Sequence, residues 1–325
     1  MIKVGIVGGA GYTAGELLRI LLNHPEVEIG FVYSTSNAGN PFYKVHQDLV
    51  GSTELKFTDK IDKEVDALFL CLGHGNSKAF LEKNTFSNAT KIIDLSNDFR
   101  LNADANFQEY EFVYGLPELN KSKIEGANAI ANPGCFATAI QLALLPLAKE
   151  GMLQGDVHIN AMTGATGAGV SLSETTHFTW RDNNISYYKP FGHQHLGEIT
   201  ESVKALQSTY NKPLRFLPMR GNFSRGIFAT AYTAFEGNSK DASELFNTYY
   251  SEATFTHVSN DTLHLKQVVN TNKCLVHVEK HQDVLLITSI IDNLLKGASG
   301  QAVQNMNLMF GFNETTGLNT KANYF

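Results

Sequence analysis

Ile2–Val7 is an unbroken apolar run that stops at Gly8-Gly9-Ala10-Gly11, after which Leu17, Leu18, Leu21 and Leu22 recur at helical spacing. The pattern predicts strand, glycine turn, helix. A second β-rich run, Val27–Tyr33, follows one helix later and completes a βαβ unit, whose crossover should be right-handed. Residues 65–72 and 91–95 are continuously apolar, as expected of parallel strands buried on both faces, with a helix over 77–83 between them. At least four parallel strands of an open α/β sheet are therefore expected before residue 100.

Beyond Cys135 the pattern changes. A long helix is predicted over 136–149, with Pro146 bending or ending it, then a strand at 158–162 and a glycine-rich loop over 163–169. A helix over 196–210 and strands at 214–219, 227–235, 275–280 and 284–292 follow through short turns, which suggests an antiparallel or mixed sheet. The segment 297–311 places Ala302, Met306, Met309 and Phe310 on one helix face and is expected to pack back onto the first domain. The expected division is 1–134 with 297–325 in one domain and 135–296 in the other.

Composition narrows the function. The 325 residues are about two domains' worth. A net charge of −6 with dispersed Lys and Arg offers no footprint for nucleic acid, and no apolar run approaches a membrane span. Three cysteines cannot form an even disulfide framework, and the start of the chain has no charged leader, so reduced thiols and a cytoplasmic setting are expected.

Four groups of residues could carry chemistry. The turn from Gly8 to Tyr12, with Thr13, has the backbone N–H groups and helix dipole that suit a dinucleotide pyrophosphate; the plain alternative is an ordinary tight βα turn. After the second strand the chain reads Tyr33-Ser34-Thr35-Ser36-Asn37. The lack of an acidic residue there favours NADP over NAD, with Ser34 and Ser36 facing the added phosphate. In Asn132-Pro133-Gly134-Cys135-Phe136 a turn delivers a cysteine to the first turn of a helix, where the N-terminus stabilises a thiolate and spare N–H groups can hold an oxyanion. Cys71, inside a strand, and Cys274, at a strand edge, read as buried packing residues. Two imidazoles, His193 and His195, enter a helix about sixty residues later; one could be the acid/base partner of Cys135, and helix capping is the plain alternative. No metal is expected, because the His-x-His spacing lacks a Cys or carboxylate cluster. Arg100 follows a buried strand on the ligand-binding side of such a sheet, where it could hold an anion or pair with Asp94 or Asp98.

Taken together, the dinucleotide turn, IANPGCFATA from Ile130, and GQAVQNMN from Gly300 resemble the N-acetyl-gamma-glutamyl-phosphate reductase family of arginine biosynthesis. AGYTAGELLR, DLSNDFRL, YGLPELN and HQHLGEI extend the resemblance over nearly the whole chain. It implies kinship with aspartate-semialdehyde dehydrogenase and an α/β fold: an N-terminal Rossmann-like NADP-binding domain closed by the C-terminal helix, with an inserted α+β catalytic and dimerisation domain. It further implies Cys135 as nucleophile, a histidine of HQH as acid/base, Arg100 as phosphate contact, Asn132 and Glu198 at the substrate and Asn305 at the cofactor. The substrate would be an acyl phosphate and the protein a homodimer or homotetramer. His195 is preferred to His193 because the helix fixes its backbone, whereas His193 follows Gly192. The chain departs from the family at Thr166-Gly167-Ala168-Gly169-Val170, where a basic residue is usual, and it carries its own Arg181. That change could suit N-succinyl in place of N-acetyl, with Arg181 on the added carboxylate. Other reductases of the same fold, acting on aspartyl or acyl-aminoadipyl phosphates, and a non-catalytic NADP-binding regulator are the competing readings.

Overall fold

The computed structural model describes all 325 residues, Met1–Phe325, and they divide into two compact units. Unit 1 comprises Met1–Pro133 and Ala298–Asn319; unit 2 comprises Gly134–Gly297 and Thr320–Phe325.

Unit 1 is built on β1 (Ile2–Val7), β2 (Val27–Tyr33), β3 (Ala67–Leu70), β4 (Lys91–Asp94), β5 (Asn106–Phe107), β6 (Tyr110–Tyr114) and β7 (Ala129–Ala131). They form one sheet in the order β2-β1-β3-β4-β7-β6-β5, parallel except for β5. The chain leaves β1 to one side and returns on the other, so the strand order reverses beside the glycine turn, where open α/β sheets bind ligands. β3 is buried at every position, which is why its sequence shows no alternation. Phe99 stacks flat on Phe112 at 3.9 Å within a core that includes Leu68, Leu70 and Ile92. Helices α1 (Tyr12–Leu21), α2 (Asn76–Lys83) and α3 (Pro117–Glu125) connect the strands.

Unit 2 opens with α4 (Cys135–Lys149) and continues through β8 (Val157–Thr163), α5 (Phe178–Arg181), β9 (Ser186–Tyr187), α6 (His195–Leu206), β10 (Leu214–Arg220), β11 (Ile227–Ala234), α7 (Ser239–Tyr249), β12 (Thr256–Val258), β13 (Cys274–His281) and β14 (Val284–Ile291). The sheet order is β12-β13-β14-β11-β8-β10-β9, with β10 parallel to β8 and β11 antiparallel to both β8 and β14, so the expected mixed sheet is present. β8 alternates buried and half-buried residues, the signature of a sheet covered on one face. α4 is buried from Phe136 to Ala148 and packs on α6, β11 and β14.

Several expectations are corrected. Pro146 does not end α4. A proline cannot donate to the carbonyl four residues earlier, and here the Tyr250 hydroxyl donates to that carbonyl, Leu142 O, at 2.5 Å. The helix predicted to reach residue 210 stops at Leu206: the Gln207 backbone leaves helical geometry at φ −128°, ψ 82°, and its side-chain amide bonds the backbone of Leu153 on both sides. The terminal helix does not begin at Gly297: a π-helical turn, Leu295–Ser299, precedes α8 (Gly300–Met309). α8 packs on α1, α3 and β4, and Lys91 Nζ donates to its last carbonyl at 2.7 Å. The tail Thr320–Phe325 groups with unit 2 instead of unit 1, held by Thr320 Oγ1 on Asn270 O and Asn323 N on Val269 O. α7 escaped the periodicity reading, although its capping box, Asn238 with Asp241, is a local signal in the sequence.

Tyr250→Phe leaves the Leu142 carbonyl buried without a donor, so it should lower unfolding stability by about 1–3 kcal/mol. Urea unfolding of the two proteins checks this, and an unchanged midpoint would show the bond to be idle.

Candidate active site

In unit 1 the glycine turn is shaped by close backbone approach. Gly8 has φ +85°, and a β-carbon there would lie 2.5 Å from Cys71 O; one on Gly9 would lie 2.4 Å from Val32 Cγ1. Gly8 N–H and Gly9 N–H both donate to Tyr33 O, tying the turn to the end of β2. Gly11, by contrast, would accept a β-carbon at ordinary contact distance, 3.9 Å from Gly8 O, and α1 starts there with no side-chain cap and no acidic residue in its first turn. An uncapped ten-residue helix behind a glycine cradle fits a pyrophosphate. Tyr12 is exposed beside it, and Cys71, half-buried, supplies the carbonyl that Gly8 approaches. Sequence reading missed His46, whose Nε2 bonds Gly9 O at 2.7 Å while its ring packs on the α-carbon of Gly15; no motif marks it. After β2, the Asn37 amide donates to both Ser34 Oγ and Ser36 Oγ, so that loop is neutral and hydrogen-bonded.

Also in unit 1, Arg100 is buried and donates from Nε to Asn132 O at 2.8 Å and from Nη2 to Leu95 O at 3.0 Å. Asn132 is further held by its own N–H on Asp94 O, by its amide nitrogen on Ala298 O and by Asn305 Nδ2 on its Oδ1. Asn305 is wholly buried, its amide nitrogen shared between Asn132 and Gly115 O. It braces Asn132 and presents no surface to a cofactor.

In unit 2 Cys135 is the first residue of α4, whose N-cap, Gly134, supplies no side chain. Glu198 Oε2 accepts the Gly134 N–H at 3.1 Å. The buried Glu198 thus fixes the turn from behind, which is a different task from the substrate contact expected of it. The His195 ring lies against Gly134 so closely that a β-carbon there would sit 2.4 Å from Nε2. His195 opens α6, and its Nε2 is 3.9 Å from Glu198 Oε1. His193 accepts the His195 N–H on Nδ1 and is enclosed by Phe136, Tyr188 and Phe216. Burial, aided by Lys189, pushes its pKa down to about 4, so the ring is neutral. The two histidines are therefore distinct: one against the turn that carries the cysteine, the other a neutral support inside an aromatic box. Gly297 approaches from the far end of unit 2, where a β-carbon would meet Cys135 Cβ at 2.8 Å. The other thiols are remote from such chemistry. Burial pushes Cys71 up to about 12, and Cys274 is buried against Ser289.

Arg181 is not aimed at open space. It is buried and donates from Nη2 to Asn184 O and Arg220 O.

Family models match both units: one described as semialdehyde dehydrogenase, NAD binding domain, covers residues 3–127, and one described as semialdehyde dehydrogenase, dimerisation domain, covers 135–293. A protein of Christiangramia forsetii called N-acetyl-gamma-glutamyl-phosphate reductase is 65% identical over 325 residues, all of both chains. The chain belongs to the N-acetyl-gamma-glutamyl-phosphate reductase family. Further members of this oxidoreductase family, from Flavobacterium johnsoniae and Bacteroides fragilis, are 60% and 54% identical over the full length of both chains. The fold is that of aspartate semialdehyde dehydrogenases. The Vibrio cholerae enzyme II solved with ASA aligns with TM-score 0.70 at 16% identity, over 96% of this chain and 98% of that one. The Candida albicans enzyme solved with NADP aligns at 0.71 and 15%, over 95% and 98%.

Two outcomes follow. Iodoacetamide should modify Cys135 far faster than Cys71 or Cys274 in the native protein, read by peptide mass spectrometry; equal rates contradict the assignment of the nucleophile. His193 binds a proton more weakly folded than unfolded, so its share of stability is complete above pH 6.5 and is lost as pH falls toward 4. Thermal melts across that range should fall less steeply for His193→Gln than for the parent protein.

Proposed function

We propose that the enzyme reduces an N-acyl-γ-glutamyl phosphate to the corresponding semialdehyde, releasing phosphate, with NADPH as reductant, as a step of arginine biosynthesis. The observation that carries this reading is Cys135 at the uncapped start of α4 with the His195 ring against the N-cap glycine. The cysteine sulfur attacks the acyl carbon; the carbon–oxygen bond to phosphate breaks, and a thioester to Cys135 remains. Arg100 is carried as the phosphate contact that the family resemblance implies; within unit 1 its guanidinium holds the carbonyls of Asn132 and Leu95. The nicotinamide, when bound, supplies the hydride that reduces the thioester carbon. Spare N–H groups of the first turn of α4 stabilise the oxyanion of the resulting thiohemiacetal. His195 holds the proton that the sulfur needs when the carbon–sulfur bond breaks and the aldehyde leaves. His193, neutral and enclosed, keeps His195 in place through the bond to its backbone N–H.

The gly-rich turn and α1 would hold the pyrophosphate of the cofactor. The neutral Ser34–Asn37 loop favours the 2′-phosphate, because no carboxylate there repels it. The dimerisation domain supports a homo-oligomer.

The test is a phosphate-dependent, NADP-linked oxidation of N-acetyl- and N-succinyl-glutamate semialdehydes, with aspartate semialdehyde as control. Activity confined to the control overturns the substrate reading. Cys135→Ser should abolish turnover, and His195→Asn should lower kcat by about 10²-fold or more with little change in melting temperature. Ser36→Asp should reverse a preference for NADPH over NADH; a parent enzyme that already favours NADH refutes the argument from the loop.

A further inference from the structure

We propose that Arg220, with Arg181 behind it, is the receptor for a carboxylate of the substrate. The inference rests on the acyl-phosphate reading above and names the group that holds the non-reacting end of the molecule.

Arg220 ends β10 and was not singled out by its sequence, where it reads as one more strand-end cation. Its guanidinium lies over the Tyr188 ring at 4.6 Å, and Nη1 donates to Thr175 Oγ1 at 2.9 Å. Arg181 lies directly behind: its Nη2 donates to the Arg220 carbonyl at 3.0 Å, its side chain is 7% exposed, and its Nε and Nη1 have no hydrogen-bond partner. Neither guanidinium is paired with a carboxylate of the protein. Two adjacent cations, one of them buried with unmade hydrogen bonds, form an arrangement that an anion completes. Arginine is also the side chain whose planar fork matches a carboxylate in two parallel hydrogen bonds.

Tyr188 connects this pair to the nucleophile. Its ring carries Arg220 on its face and packs on His193, which accepts the backbone N–H of His195, and the His195 ring lies against Gly134, the residue before Cys135. His193 packs edge-on to the same ring at 5.7 Å. A substrate with its acyl carbon at Cys135 and a carboxylate several bonds away would therefore meet Arg220 at its charged end. Arg181, which sequence reading placed on the ligand itself, contributes charge from behind and positions the Arg220 backbone.

The experiment compares the parent enzyme with Arg220→Met and Arg220→Lys, with thermal melts to confirm folding. For N-acyl-glutamate semialdehyde the Met variant should raise KM about tenfold or more while kcat falls far less, and Lys should restore part of the loss. A substrate analogue carrying a carboxamide in place of the carboxylate should bind poorly to the parent and be indifferent to the substitution. An independent readout needs no turnover: the ratio of Cys135 labelling by iodoacetate to that by iodoacetamide should drop several-fold in Arg220→Met. An unchanged KM and an unchanged ratio would overturn the proposal, as would a rise in the KM for inorganic phosphate instead, which would make Arg220 a phosphate contact. Loss of the labelling preference in an enzyme inactive on every glutamate semialdehyde would support the receptor and reject the acyl-phosphate reading.

Discussion

There is no room for a side chain at residue 134. The imidazole of His195 occupies the place where a β-carbon would go, and the backbone N–H of the same residue is held by Glu198 from α6. Because both groups come from the first turn of α6, the start of that helix and the start of α4 are locked together through one glycine. The cysteine that follows inherits its position from that contact. Gly297 repeats the device by letting the chain pass against Cys135 where any larger residue would collide. Much of unit 2 can be understood as the support for this approach. α4 is buried almost all round, its proline is compensated by Tyr250, and Asp292 gathers Arg225 and three backbone N–H groups just before the Gly297 turn.

The polar groups near this centre divide into those that brace and those positioned to act. Glu198 and His193 are buried and spend hydrogen bonds on backbone N–H groups. His195 meets the cysteine turn itself, and Arg220 stands on the aromatic ring beside it. Such bracing is what precise chemistry demands, since a reacting group displaced by about 1 Å loses much of its advantage.

The first unit was legible wherever a physical requirement leaves a long local trace. The continuous apolar strands, the glycine turn and α1 are of this kind, and in the second unit so is the cysteine at a helix start. The short strands β6, β7 and β12 were not read, because three to five residues carry too little periodicity. The burial of α8 is likewise not written in its polar residues. Gln301, Gln304, Asn305 and Asn307 look like a solvated face, yet all are buried, and of these Asn305 and Asn307 spend their amides on backbone carbonyls. His46 and Arg220 had no signal at all. Each acts through a contact with residues distant in the chain, Gly9 for one and the Tyr188 ring for the other, and no local pattern encodes such a meeting.

Asn305 also has a consequence for how the chain is assembled. It reaches back to Gly115 and Asn132, and α8 lies on α1 and α3, so the nucleotide-binding unit is closed by residues that follow all but the short tail of the other unit in sequence. On a ribosome the glycine turn emerges early, yet the unit that contains it waits for more than half the chain before its last helix arrives. The continuous stretch from Gly134 to Gly297 has no such wait. The order of synthesis is thus loosened from the order of completion: the glycine turn and its sheet are made first, yet the helix that covers β4, α1 and α3 arrives only after Gly297.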